Sequence, residues 1–127
     1  MLEWLNGFAT RRSDPTVSAL DAYVWSHATL VRIHPYADGN GRLARLVANV
    51  SVIEKGSLPI LVPAEQRLDY IESLATWQLA SGTLRSGSVL EGDQEILARF
   101  HAHCAGWMTA SSALMDEALE LQRQRWA

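Results

Sequence analysis

Apolar residues recur at intervals of three and four positions along most of the chain, which is the spacing of a buried stripe on an α-helix. The longest such series runs from Leu43 through Leu46, Val47 and Val50 to Ile53, and we expect it to face the core. One further apolar run contains two prolines, which argues against a central β-strand. The pattern therefore predicts an all-α fold with helices over residues 1–9, 15–33, 40–55, 64–79, 94–107 and 109–125.

Capping and breaking residues set the expected ends of these helices. We expect Gly7 to stop the first helix and Asp14, which precedes a proline, to cap the second. Pro35 ends the second helix, because the residue before a proline is disfavoured in helical geometry. Asn40 is the expected N-cap of the third helix, and Gly56 is its expected stop. Loops are expected over residues 10–13, 34–39 and 81–92.

A chain of 127 residues is long enough for one domain with its own core. We expect a single helical domain over residues 1–127, with a core at about 14–105. A C-terminal helix at about 109–125 is expected to cover this core with its apolar stripe. The formal net charge is −3, from 11 basic and 14 acidic residues, which argues against nucleic-acid binding and electrostatic membrane attachment.

Cys104 is the one cysteine, so the chain has neither an internal disulfide nor a zinc site built from several cysteines. Its apolar neighbours predict a buried, unreactive thiol. No apolar run is long enough to span a bilayer, and no signal peptide is recognisable. The sequence thus predicts a cytoplasmic protein without nucleic-acid or membrane partners.

The residue types that carry chemistry are concentrated in residues 34–45, His-Pro-Tyr-Ala-Asp-Gly-Asn-Gly-Arg-Leu-Ala-Arg. The Gly39–Gly41 segment can bend so that successive backbone N–H groups point into one concavity, which suits an anion. The helix predicted to follow adds the partial positive charge of its N-terminus. Arg42 and Arg45 are three positions apart on that helix, so both can lean over one phosphate chain.

Asp38 and His34 complete this set of residues. Asp38 offers carboxylate oxygens, with which proteins hold Mg²⁺ while the ion also binds substrate phosphates. Histidine can accept a proton from a nucleophile at neutral pH, so His34 is a candidate general base. His27 lies two helical turns earlier, and we expect it to be a core histidine bonded to the backbone. The order and spacing of these residues indicate a site for a nucleoside triphosphate.

Residues 34–45 match every fixed position of H-x-[FY]-x-[DE]-G-N-G-R-x-x-R, and the chain therefore resembles the Fic family. The resemblance implies an all-helical fold and a protein adenylyltransferase, which transfers AMP from ATP to a serine, threonine or tyrosine hydroxyl of a target protein. It also implies Mg²⁺ as cofactor and pyrophosphate as product. The implied roles are general base for His34, Mg²⁺ ligand for Asp38, anion hole for Gly39, Asn40 and Gly41, and contacts to the β- and γ-phosphates for Arg42 and Arg45. Tyr70 matches an aromatic position of the family that can border the base pocket, and a plain core or rim tyrosine is the alternative interpretation.

Three other interpretations stay open. A Doc-type member of the family would phosphorylate its target instead, although such members usually lack the glycine found here at Gly41. Fic enzymes usually align their target along a β-hairpin flap before the core, and the residues before His34 contain no hairpin pattern. The chain could therefore be a non-enzymatic nucleotide-binding or interaction module, or a truncated Fic core that needs flanking sequence for activity.

Many Fic proteins are inhibited by a helix of pattern [ST]-x-x-x-E-[GN], whose glutamate pairs with the second arginine of the motif. No segment of this chain matches that pattern. We therefore expect inhibition of Arg45 to come from a small antitoxin-like partner or from flanking sequence. The competing hypothesis is that residues 109–125 fold back and present Glu117 or Glu120 to Arg45.

Overall fold

In the computed structural model, which describes residues 1–12 and 14–127, all regular structure is helical. No β-strand occurs in these two ranges, so the predicted all-α fold is confirmed, and no β-hairpin flap precedes the central helices within them. None of the helices described is both long enough and apolar enough to cross a membrane. The helices are α1 Leu2–Arg12, α2 Ala19–Ile33, α3 Asn40–Glu54, α4 Arg67–Ser81 and α5 Gln94–Trp126, with one 3₁₀ turn at Ala64–Gln66 before α4.

The first helix continues past Gly7 and ends at Arg12, so the predicted stop and the predicted loop over residues 10–12 are wrong. Ser13, the last residue of that predicted loop, lies outside the described residues. The reason is tertiary packing of this helix against the loop after α4, which lies so close that a Cβ atom on Gly7 would be in ordinary van der Waals contact with Leu90 Cδ1, at 3.4 Å. This packing outweighs the low helix propensity of glycine, which is about 1 kcal/mol.

The second helix begins at Ala19, later than predicted. Ser18 is its N-cap, and the Ser18 Oγ atom accepts the Asp21 N–H at 3.1 Å. Asp14, the predicted cap, instead accepts from the N–H and the hydroxyl of Thr16 at 2.9 and 2.7 Å. Aspartate and serine are both common in turns and at helix N-caps. Here Asp14 closes a local turn, and Ser18 starts the helix.

The apolar series of α3 faces the core only in part: Leu43 and Val47 are partly buried against it. Leu46, Val50 and Ile53 are exposed, which corrects the prediction for these three residues. Leu46 is 64% exposed and Ile53 is 54% exposed. The face that packs against α2 is made mainly of small residues, because this helix pair has the most extensive contact in the described chain and leaves little room for long side chains. The buried residues of α3 are Asn40, Ala44, Ala48, Ser51 and Val52.

Two hydrophobic clusters hold the helices together. The larger one joins α2, α3, α4 and the first half of α5, and it includes Cys104 with a fully buried thiol, as predicted. Burial raises the pKa of the Cys104 thiol, so little reactive thiolate forms. The smaller cluster lies next to residues 34–45 and consists of Phe8, Trp25, Leu30, Ile33 and Ala44.

Arg32 fastens the loop after α4 to the end of α2. Its guanidinium donates to the carbonyls of Val89 at 2.6 Å and Leu90 at 2.9 Å, and to the carbonyl of Ser81 at 3.1 Å. With the Gly82 carbonyl at 3.5 Å, four carbonyl acceptors on one guanidinium hold a loop that has no regular structure of its own. Because Arg32 lies two residues before His34, the same bonds anchor the helix end from which the site is built.

The last two predicted helices are one continuous helix, α5, so the expected break near residue 108 is wrong. Its N-terminal half is packed in the core through Phe100, Cys104 and Trp107. No proline lies within α5, and nothing in its sequence stops the helix after the core contacts end. From Ser112 to the last residue every position is exposed, so the apolar stripe of this part does not cover the core as expected.

Removal of residues 112–127 should leave the rest of the domain folded, because no side chain in this part is buried. We expect the thermal midpoint to stay within about 3 °C of the full chain, since changes at exposed positions have small effects on stability. Calorimetry of the two chains measures this difference. The control is removal of residues 104–127, which deletes Cys104 and Trp107 from the core and should unfold the domain. Equal losses in both truncations would contradict the exposure of the helix end.

Candidate active site

The motif loop begins where α2 ends, at Ile33 as predicted. His34 follows as the C-cap residue and has a left-handed backbone, with φ 52° and ψ 59°. Its N–H still donates to the Leu30 carbonyl at 3.1 Å, so the residue stays tied to the helix while the chain turns. A left-handed conformation is uncommon for a residue with a side chain and is concentrated at functional sites. The turn leaves the His34 side chain exposed.

Asn40 closes the loop with its side chain. The Oδ1 atom accepts the Tyr36 N–H at 3.0 Å, and the Nδ2 atom donates to the Tyr36 carbonyl at 2.6 Å. The predicted N-cap role of Asn40 is wrong, because Gly39 is the N-cap of α3 and Asn40 is the first residue of the helix. Asn40 therefore shapes the loop with its side chain, and its backbone N–H is the group that can meet an anion.

Three backbone N–H groups at the start of α3 lie before the first hydrogen bond of the helix. That bond runs from the Leu43 N–H to the Gly39 carbonyl at 3.0 Å, so the N–H groups of Asn40, Gly41 and Arg42 have no acceptor within the helix. Gly39 has φ 80°, a conformation that favours glycine. The three N–H groups and the positive end of the helix dipole together are suited to bind an anion.

Asp38 lies on the rim of this helix N-terminus. Its Oδ1 atom accepts the Gly39 N–H at 2.8 Å, and its side chain is exposed. The described residues contain no group of three or more His, Cys, Asp or Glu side chains that could hold a metal ion alone. A single carboxylate beside an anion site fits Mg²⁺, which is commonly held by one or two carboxylates together with the phosphates of the substrate.

The two arginines of the motif lie on the first two turns of α3, with Arg42 exposed and Arg45 half-buried. The Arg45 Nη1 atom donates to the Tyr70 hydroxyl at 3.1 Å. A Cβ atom on Gly41 would lie 3.6 Å from the same Nη1 atom, so the glycine leaves the space beside the guanidinium open. No carboxylate forms an ion pair with Arg45 in the part of the chain that the structure describes.

Behind Arg45 a chain of hydrogen bonds continues into the core. The Tyr70 hydroxyl lies 2.9 Å from Nε2 of His27, which is fully buried. Burial, together with the positive charge of Arg45, lowers the pKa of His27 to about 3. The ring is therefore neutral at neutral pH, and its Nε2 atom can accept the Tyr70 O–H. His27 is a core histidine as predicted, but its ring nitrogen bonds to the Tyr70 side chain, which corrects the expected backbone partner.

An open cavity of about 840 Å³ lies beside Gly41 and Arg45, and Tyr70 forms part of its wall. Asn49 holds the connector that borders the cavity, because its side chain accepts the Ile60 N–H at 2.7 Å and donates to the Ile60 carbonyl at 3.0 Å. The volume lies in the range of ligand-binding pockets. This role of Asn49 could not be predicted from the sequence, because its partner is eleven positions away and belongs to a segment without a periodic pattern.

A second cavity, of about 590 Å³, lies between α2, α5 and the segment before α2. Its charged groups are paired with one another, Arg11 with Glu91 at 3.1 Å and His101 with Asp21 at 2.8 Å. None of the motif residues lines it. The cavity beside Arg45 is therefore the one that belongs to the candidate site.

The predicted site residues lie in one region of the fold, and their roles stay predictions. The loop and the first turn of α3 bring together His34, Asp38 and the N–H groups of residues 40–42. Arg45 lies one turn further along α3, and Tyr70 joins from α4 through its bond to Arg45. The base-pocket role predicted for Tyr70 has to use its ring, since its hydroxyl is bonded on two sides.

These features define a helical domain with a candidate anion-binding site at the junction of its two central helices. Residues 1–52 match the model of the Fic/DOC family and contain the whole motif. The fold is similar to the crystal structure of a Fic domain containing signaling protein from Bacteroides thetaiotaomicron, with a TM-score of 0.67 and 21% identity. The similarity covers 87% of this chain and 42% of that chain.

Curated relatives carry the name protein adenylyltransferase. Fic-1 of Caenorhabditis briggsae is 42% identical over 74 residues, which are 58% of this chain and 14% of the relative. Protein adenylyltransferase Fic of Drosophila sechellia is 34% identical over 101 residues, which are 80% of this chain and 17% of the relative. The chain thus spans less than a fifth of the length of these relatives. With the family match and the fold, they show that it carries a Fic-family domain.

The low pKa of His27 predicts how stability depends on pH. The unfolded chain binds a proton at this residue below its ordinary pKa of 6.5, whereas the folded chain leaves it neutral down to about 3. The free energy of unfolding should therefore fall as the pH decreases from about 6.5 toward 3, by up to about 1.4 kcal/mol per pH unit from this group. Urea unfolding between pH 7.5 and pH 4.5 measures the slope.

The variant His27→Leu should reduce this slope by the contribution of about one bound proton, because it removes the titrating group. Tyr23→Phe is the control: it changes a fully buried residue of the same cluster and removes no group that titrates in this range. It should keep the slope of the unmodified chain. Parallel curves for His27→Leu and the unmodified chain would show that His27 does not cause the pH dependence.

Proposed function

We propose that the chain is a protein adenylyltransferase, which transfers AMP from ATP to a serine, threonine or tyrosine hydroxyl of a target protein and releases pyrophosphate. The observation that carries this proposal is the exposed His34 side chain at one end of a short loop whose other end is an anion-binding helix N-terminus. The Fic-family domain and the names of the relatives agree with this activity.

The start of α3 would bind the phosphates of ATP. The N–H groups of Asn40, Gly41 and Arg42 donate to phosphate oxygens, and the side chains of Arg42 and Arg45 neutralise the β- and γ-phosphates. Transfer of this type depends on positioning and charge neutralisation more than on covalent help from the protein. Asp38 would hold Mg²⁺, which supplies further positive charge at the phosphates when bound.

His34 acts on the target hydroxyl. It accepts the hydroxyl proton while the oxygen attacks the α-phosphorus, and a new oxygen–phosphorus bond forms. The bond from the α-phosphorus to the oxygen that bridges it to the β-phosphorus breaks, and its electron pair leaves with pyrophosphate. The exposed position of His34 allows a residue on another protein to reach it.

A second candidate function is nucleotide binding without transfer. It is favoured by the absence of a β-hairpin from residues 1–12 and 14–127, because a target segment then lacks a strand to pair with in this part of the chain. The anion-binding site and the cavity beside Arg45 would serve binding alone equally well. AMP transfer by the unmodified chain that is lost in His34→Ala would separate the transferase from a protein that only binds the nucleotide.

The cytoplasmic location stays a prediction.

Inhibition is proposed to come from a small antitoxin-like partner or from flanking sequence. The competing hypothesis needs Glu117 or Glu120 at Arg45, but both lie on the exposed part of α5. Glu120 there accepts from Gln124 at 3.2 Å and pairs with Arg123 at 3.3 Å. An acidic side chain of a partner could approach Arg45 through the open cavity beside it.

The variant His34→Ala should abolish AMP transfer and keep the affinity for ATP with Mg²⁺ within about tenfold, because the lost group acts on the nucleophile and not on the phosphates. Mass spectrometry of the target and of the chain itself detects the added AMP, and calorimetry measures ATP binding. His103→Ala changes a histidine outside the site and should leave transfer unchanged. Transfer by His34→Ala at the rate of the unmodified chain would contradict the role of His34.

Replacing Arg42 or Arg45 with alanine should weaken ATP binding far more than AMP binding, because AMP lacks the β- and γ-phosphates. A hydrogen bond to a charged group contributes about 1.5–3 kcal/mol, so we expect a loss of about 10- to 100-fold for ATP. Calorimetric titrations with both nucleotides measure the ratio. Arg123→Ala, on the exposed end of α5, is the control. If Arg42→Ala or Arg45→Ala weakens both nucleotides equally, the assignment to the terminal phosphates is wrong.

A further inference from the structure

The side chain of Arg45 has a fixed partner on the side that faces the protein. Arginine has a long, flexible side chain, and a ligand that binds it normally has to fix its orientation at a cost in conformational entropy. In this fold, Arg45 donates to the Tyr70 hydroxyl at 3.1 Å, and its guanidinium carbon lies 5.7 Å from the centre of the Tyr70 ring. The guanidinium is therefore oriented before any ligand binds.

The Tyr70 hydroxyl is itself fixed by a buried acceptor. A phenol has one hydrogen to donate, and its oxygen can accept at the same time. Arg45 can only donate, so it uses the oxygen, and the Tyr70 hydrogen is directed at Nε2 of His27, 2.9 Å away. His27 is neutral because it is buried, and the tautomer that carries its proton on Nδ1 leaves the Nε2 atom free to accept.

Three helices hold this pair of rings in place. His27 comes from α2 and Tyr70 from α4, and their rings meet edge to face with centroids 5.4 Å apart. Phe100 of α5 lies 5.2 Å from the His27 ring, and Trp107 lies 6.3 Å from the Tyr70 ring. Tyr70 is 8% exposed and His27 is fully buried, so neither ring can swing away without disturbing the core.

We propose that Tyr70 is a positioning residue, which orients the Arg45 guanidinium toward the terminal phosphates of the nucleotide while His27 fixes the Tyr70 hydroxyl from within the core. This inference rests on the phosphate-binding part of the proposed function. The Tyr70 hydroxyl then contacts Arg45 and not the nucleotide, so the effect of removing this hydroxyl on nucleotide binding must depend on Arg45. A direct contact of Tyr70 with the base would instead affect ATP and AMP alike.

The variant Tyr70→Phe tests the proposal, because it removes the hydroxyl and keeps the ring. We expect the affinity for ATP with Mg²⁺ to fall about five- to tenfold and that for AMP to change less than about twofold. Inorganic pyrophosphate, titrated with Mg²⁺, should show the same loss as ATP. In the Arg45→Ala background, Tyr70→Phe should cause no further loss for ATP, because the group that it positions is absent.

Tyr23→Phe is the matched control, since it makes the same chemical change in the same cluster. The Tyr23 hydroxyl is buried and has no hydrogen-bond partner in the described part of the chain, so its removal should leave the ATP to AMP ratio unchanged. His27→Leu is the second variant, and it should lower that ratio in the same direction as Tyr70→Phe. For both variants the measured quantity is the ratio of the ATP affinity to the AMP affinity of the folded protein. A loss of stability alone would not change this ratio.

Equal losses for ATP and AMP in Tyr70→Phe would overturn the proposal, as would a further loss in the Arg45→Ala background. The absence of ATP and pyrophosphate binding by the unmodified chain would overturn it together with the proposed function. If the chain binds both ligands with the expected dependence on Tyr70 but never transfers AMP, only the proposed transferase activity fails.

Discussion

The close packing of α2 against α3 is the constraint on which the site depends. His34 lies at the end of α2 and the free N–H groups lie at the start of α3. The packing of the two helices therefore sets the distance between the proposed general base and the proposed phosphate-binding groups. Ala28 of α2 and Ala44 and Ala48 of α3 are completely buried. A larger residue at one of these positions would cost about 1–3 kcal/mol or more and would move the two helix ends relative to each other.

The loop between the helices is held by bonds that offset its strain. A left-handed residue with a side chain, such as His34, costs about 1–3 kcal/mol. The two bonds between the Asn40 side chain and the Tyr36 backbone contribute about 1 kcal/mol each, and the His34 N–H keeps its bond to Leu30. Asn40 therefore closes the loop with its side chain, and its backbone N–H also belongs to the candidate anion site.

The motif could be identified from the sequence because its residues are contiguous, and the end of α2 could be predicted because Pro35 acts on the residue before it. The buried face of α3 could not be predicted from its apolar spacing, since the contact with α2 selects alanines and leaves Leu46 exposed. The bond between Tyr70 and His27 joins residues 43 positions apart, and only the folded core brings them together. Sequence patterns show which face of a helix is apolar, but which neighbour covers it is a property of the whole fold.

The partner of Arg45 also explains how the site can hold a guanidinium without neutralising it. A carboxylate in the place of Tyr70 would orient Arg45 equally well, but its charge would compensate the guanidinium and compete with phosphate for the same donors. A phenol hydroxyl contributes one hydrogen bond of about 1 kcal/mol and no charge, so the full positive charge stays available to the ligand. The same reasoning applies to His27, which has to be neutral to accept the hydroxyl and would repel Arg45 if it were protonated. Deep burial of His27 is therefore part of how the arginine is positioned, since it keeps this second partner uncharged across the physiological pH range.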